Sequence, residues 1–523
     1  MSEPMDEVFE QHHESSKMDP ALKEIRDFKG KFPKQLWSLF FSEMWERFSF
    51  YGMRGMLTFF MIDQLFMEEK TANLQYGATQ AFVYAFTFIG GLFADKILGF
   101  RKSLFWGGIL MITGSLILMI DPHAYFFLGI SFNIIGTGFF KPNISTMVGQ
   151  LYHDGDARRD AGFSLFYSGI NIGALFGGAA CVTIGKGTFL GNIVPEDMRW
   201  NVAFGLVAVV MTISLLIFVN TRKKLGPIGL PPAQFRNDNP ESKKKKWYEY
   251  AVYIGGLALI PVIMTMVSTP EYVNWFMYII GPASLIYLFY EMTKHTMAEV
   301  KKLLAALCFI FFSILFWAIF EQAGGSLTIF AAKNVKNEFM GFIPLDPNGV
   351  NNAANSLFVI IFAPILGLIW IAMNKRKIEP NTVIKFALGF LFLGGAFYVF
   401  SATKLFAGSD GMTSLDVFTL AYFIVTLGEL SLSPIGLSIM TKLSPIRLQG
   451  VMMGMWFLAS AYGQYVAGLF GASIATDDPN ASNYDRLVSY TNGYAHFALY
   501  AVIAGVVLII ISPFVRKLMG NVK

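Results

Sequence analysis

The chain has 523 residues, of which 54% are hydrophobic, 52 are Phe and only 15% are charged. A soluble protein of this length carries far more charge, so the composition is that of a chain that crosses a membrane many times. The net charge of +5 is small and gains meaning only through its placement between apolar segments.

Residues 1–34 mix acidic and basic side chains and lack the apolar core of a signal peptide, so no cleavage or translocation by that route is expected. Apolar spans then follow at about 36–62, 74–95, 103–121, 124–150, 161–185, 200–219, 249–268, 272–291, 303–330, 354–373, 382–403, 415–440, 450–473 and 492–515. Each is long enough to cross a bilayer as a helix. Cys181 and Cys308 both fall within spans and read as small buried hydrophobes, with no disulfide framework.

The first span is unusual. Glu43, Glu46, Arg47, Phe50, Tyr51 and Arg54 are spaced to share one helical face, while Met44, Phe48, Met56 and Phe59 lie mostly elsewhere. A charge at mid-bilayer costs roughly 2.5 to 3.5 kcal/mol on insertion scales, so this face must turn toward a water-filled or protein-paired interior. That makes a binding or transport site the default expectation. Tyr84 in the second span is a further candidate for lining it. Gly91, Ala94, Asp95, Lys96, Gly99, Arg101 and Lys102 form a compact charged turn between the second and third spans, with Asp95 expected against a helix N-terminus or a basic partner.

The basic residues Lys96, Arg101, Lys102, Arg158, Arg159, Arg222 to Lys224, Lys243 to Lys246, Lys301, Lys302, Lys375 to Lys377, Arg447, Arg516 and Lys517 all fall on one side of the spans. By the positive-inside rule that side is cytoplasmic, and both termini lie there. Residues 221–247, with Pro227, Pro231, Pro232, Pro240 and four successive lysines, read as a solvated linker. Two spans of low polarity follow, within 248–295, and read as peripheral. Setting them aside leaves a six-helix bundle at 36–220 and another at 296–518, between a tail at 1–35 and a short one at 519–523. Halves built of inverted three-helix repeats place a substrate site at the midplane between them.

Three further ionisable residues are isolated in spans: Lys141 in the fourth, Glu321 in the first of the second half and Glu429 in its fourth. Lys141 and Glu429 occupy corresponding helices of opposite halves with opposite charge, as do Arg54 and Glu321. Attraction across a central cavity would hold the halves together on one side, and protonating the carboxylate would release it. Asn171 and Asn355 either hydrogen-bond a ligand in the same cavity or bridge neighbouring helices, and Tyr51, Tyr84 and Trp456 either line it or pack the core, with Ser433 a further polar candidate.

Signatures of other classes are missing. Gly185-Lys186-Gly187-Thr188 lacks the remaining residues of a phosphate-binding loop, and no histidine has metal-ligand spacing within a span. Neither an enzyme nor a metal site is expected.

Glu43-x-x-Glu46-Arg47-Phe48-x-x-Tyr51-Gly52, Phe139-Phe140-Lys141-Pro142-Asn143, Phe166-Tyr167-x-x-Ile170-Asn171-x-Gly173 and Gly428-Glu429-x-x-x-Ser433-Pro434 together resemble the proton-dependent oligopeptide transporters of the major facilitator superfamily. The resemblance runs from about Leu36 to the last span, and the two extra central helices are similar to those of bacterial members. It implies an all-α membrane fold of two six-helix bundles plus two helices, fourteen in all. It assigns proton coupling to Glu43, Glu46 and Arg47, and it matches Lys141 with Glu429 to an inner charge pair and Arg54 with Glu321 to an outer one. Arg54 and Lys141 would then face a peptide's carboxylate and Glu429 its ammonium, with Tyr51, Tyr84, Asn171, Asn355 and Trp456 along the peptide bond and side chains. Two departures stand out. Phe50 replaces a tyrosine found in many members, and residues 74–95 contain no histidine, which leaves Glu321 and the first-span carboxylates to carry protons.

The reading is a proton-coupled symporter that imports di- and tripeptides across the bacterial inner membrane by alternating access. It needs no cofactor besides protons as coupling ion, binds no nucleic acid and functions as a monomer in the lipid bilayer. The alternatives are a symporter for another small anion or zwitterion, a drug exporter and a peptide receptor without transport, because a fold alone does not choose a substrate.

Overall fold

A computed structural model describes residues 19–153, 156, 158–232, 242–445, 448–476, 478 and 481–520, apart from the side chains of 242–245, 433–435, 437, 438, 441, 449 and 450. A short helix α1 (Pro20–Arg26) precedes six long helices: α2 (Lys34–Asp63), α3 (Glu69–Phe93), α4 (Phe100–Ile120), α5 (Phe126–Gln150), α6 (Arg158–Lys186) and α7 (Arg199–Thr221). A peripheral pair follows, α8 (Ser242–Ser268) and α9 (Pro270–Met292). The second bundle contains α10 (Met297–Phe320) continued by α11 (Ser326–Asn334), then α12 (Pro347–Lys375), α13 (Thr382–Ala402), α14 (Leu415–Leu443), α15 (Gln449–Ile474) and α16 (Asn483–Met519). Fourteen membrane crossings result, as the spans predict. A two-stranded hairpin, Glu338–Phe339 against Ile343–Pro344, turns at Met340 and Gly341, both at positive φ.

Eleven of the described helical segments are long and apolar enough to cross a membrane by length and composition. Lys34–Asp63, Phe126–Gln150 and Gln449–Ile474 are not among them. These helices carry Glu43, Glu46, Arg47, Arg54, Lys141 and Gln464 among their polar residues, and they sit inside the bundles, where polarity is tolerated.

Lipid is as apolar as leucine, so packing rather than water exclusion holds such helices together. The glycines serve this at the seam between bundles: a Cβ on Gly77 of α3 would stand 2.7 Å from the Cα of Gly468 on α15. Only bare backbones can approach so closely. The peripheral α8 and α9 present exposed Tyr250, Ile254, Trp275 and Tyr278. They are tied to the first bundle by Lys102 Nζ to Glu249 Oε1 at 2.6 Å and to the second by Tyr465 Oη donating to Asn274 at 2.6 Å.

Three expectations need correction. The span 303–330 is not one helix: it breaks into a tight turn at Glu321–Ala323, where Gly324 and Gly325 follow, and α11 begins at Ser326. The linker is not solvated throughout, because Leu225 and Ile228 are buried and Arg101 donates to the carbonyls of Ile228 and Gly226 at 2.6 and 2.5 Å. The charged turn therefore grips the linker: Gly99 has φ 74°, and a Cβ there would meet Pro231. Asp95 itself is exposed, with no ion pair among the described residues.

Helix polarity places Lys34, Leu98, Gln150, Arg158 and Thr221 at one face, hereafter the basic face, and Asp63, Glu69, Lys186, Asn334 and Asp346 at the opposite face.

Candidate functional site

Three of the first-span charges are paired with one another inside the protein. Glu43, Glu46 and Arg47 are 3%, 0% and 2% exposed, so none faces lipid. Arg47 forks onto Glu46, with Nη2 to Oε1 at 2.7 Å and Nε to the other oxygen, and its Nε also lies 3.1 Å from Glu43 Oε1. Glu43 Oε2 is buried with no hydrogen-bond partner. A carboxylate oxygen left without a partner in so dry a place is costly.

Phe50 is buried between two cations. The Arg47 guanidinium stands 5.0 Å from its ring centre and the Lys141 ammonium 5.5 Å. Lys141 also lies 4.3 Å from the Tyr84 ring. The aromatic that departs from the family pattern thus links the first-helix charge cluster to Lys141 by its π face, an interaction that needs no hydroxyl.

One turn further on, Arg54 pairs with Glu321 across the bundles and donates from Nε to Tyr76 Oη at 2.7 Å. Tyr51 lies beside it, with the guanidinium 5.8 Å from the ring. Glu321 sits at the helix break, which lets a side chain at the end of α10 reach a helix of the other bundle.

Lys141 and Glu429 are not joined. Asn355 Nδ2 donates to Glu429 at 2.8 Å and to Thr426 at 3.1 Å, while Lys141 faces its aromatic rings. The second cross-bundle pair expected from the sequence is therefore open in this conformation. Asn171 donates its Nδ2 to the Tyr167 carbonyl of its own helix at 3.0 Å. Trp456 is 7% exposed and packs against Gly436 in the second bundle's core. The Ser433 side chain lies outside the described residues.

Two cross-bundle pairs escaped sequence reasoning. Lys186 Nζ meets Asp346 Oδ2 at 2.5 Å, and Arg486 Nε meets Glu69 Oε1 at 2.8 Å. Tyr490 Oη donates to the other Glu69 oxygen at 2.6 Å. Asp346 directly precedes a proline, a helix-start signal, and its Oδ1 caps α12 through the Gly349 amide at 2.9 Å. That signal predicts a cap but no partner. Tyr76 was missed because an aromatic in so Phe-rich a chain gives no hint of its hydroxyl's role. Among the described residues, three ion pairs join the bundles, at Arg54, Lys186 and Arg486, and all lie toward the opposite face. The protein is clasped on that side.

The POT family model matches residues 101–487. A peptide transporter of Yersinia enterocolitica subsp. palearctica, YePEPT, is 33% identical over 518 residues, covering 95% of this chain and 97% of the relative. A di-/tripeptide transporter of Lactococcus lactis subsp. cremoris is 30% identical, covering 97% of this chain and 100% of the relative. A solved POT peptide transporter in complex with alafosfalin superposes with a TM-score of 0.79 at 33% identity, over 97% of this chain and 100% of that one. A POT transporter solved in complex with 5-aminolevulinic acid gives 0.78 at 28% identity, over 94% and 99%. Full-length similarity at this level, together with the fourteen-helix architecture and the charged first helix, makes this chain a member of the POT family, and thus a multi-pass membrane transporter rather than an enzyme.

Proposed function

We propose that this chain is a proton-coupled symporter that imports di- and tripeptides by alternating access across the bacterial cytoplasmic membrane, with the basic face and both termini in the cytoplasm, acting as a monomer. The observation that carries the reading is the pair of unmatched opposite charges at the interface of the bundles: among the described residues, Lys141 has no carboxylate in an ion pair and Glu429 is held by Asn355. A zwitterion is matched by separated opposite charges across a cavity, one for each end. Arg54 and Lys141 face the carboxylate, Glu429 the ammonium, and Tyr51, Tyr84, Asn171, Asn355 and Trp456 the remainder.

Proton coupling is supported by the Glu43, Glu46 and Arg47 cluster, whose unpartnered Glu43 oxygen offers a protonation site. Protonating Glu321 would weaken its hold on Arg54 and loosen the clasp on the opposite side. The relatives named as peptide and di-/tripeptide transporters support the substrate class. A second reading, a non-peptide zwitterion, is favoured by the POT structure holding 5-aminolevulinic acid, by its name an amine and a carboxylic acid without a peptide bond.

The test is pH-driven uptake into proteoliposomes, challenged by di- and tripeptides, free amino acids, 5-aminolevulinic acid and nitrate. Competition by the peptides alone is the expected result. Competition by 5-aminolevulinic acid with none from peptides selects the second reading, and indifference to a proton gradient removes coupling.

A further inference from the structure

At the basic face a groove of about 520 Å³ lies between the segment leading into α2 and the residues that follow α7. Lys29 and Lys34 line one wall and Lys223 and Lys224 the other, with Glu24 the single acidic side chain among the lining residues. All four lysines are exposed, and none forms an ion pair among the described residues. Four unneutralised cations around one concavity repel one another, and an anion in the groove relieves that repulsion.

The wall is built, not loose. Ile25 of α1 is buried, Arg26 donates to the Gln150 carbonyl at 3.1 Å, and Arg158 donates to the Phe28 carbonyl at 3.0 Å with its guanidinium 3.9 Å from the Phe28 ring centre. Gln35 Nε2 reaches the Lys224 carbonyl at 3.2 Å and ties the two walls together.

A second observation separates an amphiphile from a simple anion. Phe32 lines the groove and stands edge-on to Trp37 at 6.3 Å, and Trp37 continues to Phe41 at 6.4 Å. Trp37 and Phe41 are each 43% exposed on the first turns of a membrane helix. An aromatic strip thus leads from the lysines to the lipid-facing surface, the place where tryptophan marks the membrane interface. We propose that this groove binds an anionic phospholipid, its phosphate among Lys29, Lys34, Lys223 and Lys224 and its acyl chains along Phe32, Trp37 and Phe41. Basic pockets at the cytoplasmic ends of membrane helices suit such headgroups.

The experiment compares binding of phosphatidylglycerol, phosphatidylcholine, glycerol 3-phosphate and inorganic phosphate to the full chain in neutral detergent, by native mass spectrometry with thermal stabilisation as the second readout. Phosphatidylglycerol is expected to bind best. Lys223→Gln with Lys224→Gln should weaken it about thirtyfold, at the contribution typical of two cations near a headgroup, while Lys301→Gln with Lys302→Gln, equal in charge change, should not. Trp37→Ala should weaken the lipid and leave glycerol 3-phosphate unaffected. Equal binding of phosphatidylcholine, or equal loss in both lysine variants, overturns the site. Inorganic phosphate matching the lipid would make it an anion pocket and overturn the amphiphile. Residues 1–18 carry Glu3, Asp6, Glu7, Glu10 and Glu14. Lipid binding that emerges only when these are made Gln or Asn would assign the groove to the chain's own acidic segment instead.

Discussion

Replacing Asp346 by Asn separates two duties of one side chain. Oδ1 caps α12 and Oδ2 pairs with Lys186. Asparagine is as good a cap as aspartate, so the helix start survives while the charge is lost. The pair lies 2.5 Å apart with side-chain exposures of 16% and 4%. Exposed pairs contribute about 0 to 1 kcal/mol, and breaking a buried one costs about 3 to 5 kcal/mol; an intermediate burial places this one near 2 kcal/mol. That is about thirtyfold in the equilibrium between clasped and open states. Glu69→Gln, at the other peripheral pair, should add a similar factor, since distant sites add. The double variant then shifts the ratio by about a thousandfold. The assay is the distance distribution between spin labels at the opposite-face ends of α6 and α12, which should move from one short population in the wild type to a mixture in the double variant. Lys186→Asp with Asp346→Lys should recover part of the short population, while loss of the cap lowers overall stability by about 1 kcal/mol. An unchanged distribution in the folded double variant would refute the assignment of these pairs to closure.

Glu43→Gln and Glu46→Gln should each abolish accumulation driven by a proton gradient while counterflow exchange persists, because glutamine keeps the shape but cannot titrate; accumulation intact in both variants would remove the coupling role. Dipeptides acetylated at the amino end or amidated at the carboxyl end should compete roughly ten- to a hundredfold less well, the equivalent of a charged hydrogen bond of about 1.5 to 3 kcal/mol; equal competition excludes capture of both ends. In the loop before α6, hydrogen bonds from Arg158 hold the Asp156 carboxyl below the usual carboxylate range. A depressed folded pKa gives stability that is present above the unfolded value of about 3.9 and is lost as pH falls through the folded one. Asp156→Asn should therefore lower the thermal midpoint by a constant amount from pH 5 to 8, with the difference shrinking below about pH 4; a difference that grows on acidification contradicts the pairing.

The spans, the basic face and the buried first-helix charges were legible because hydrophobic length and charge placement are local properties that a bilayer enforces residue by residue. The amino-acid order alone puts Glu43, Glu46 and Arg47 in the interior, since no other location tolerates them. The break at Glu321 was less visible: its glycine pair is a weak local signal inside an apolar run, and the contacts that meet it come from the opposing bundle, where Arg54 pairs with Glu321 and the Thr58 hydroxyl donates to the Gly324 carbonyl at 2.5 Å. Which charges meet was decided by tertiary structure alone. Lys186 and Asp346 are 160 residues apart and Glu69 and Arg486 are 417 apart, and nothing in either segment names its partner. Lys141 and Glu429 have an equally good claim to pair by sequence, yet they stand apart because pairing depends on how the two bundles tilt against each other, and that tilt is a property of the whole interface rather than of any residue on it.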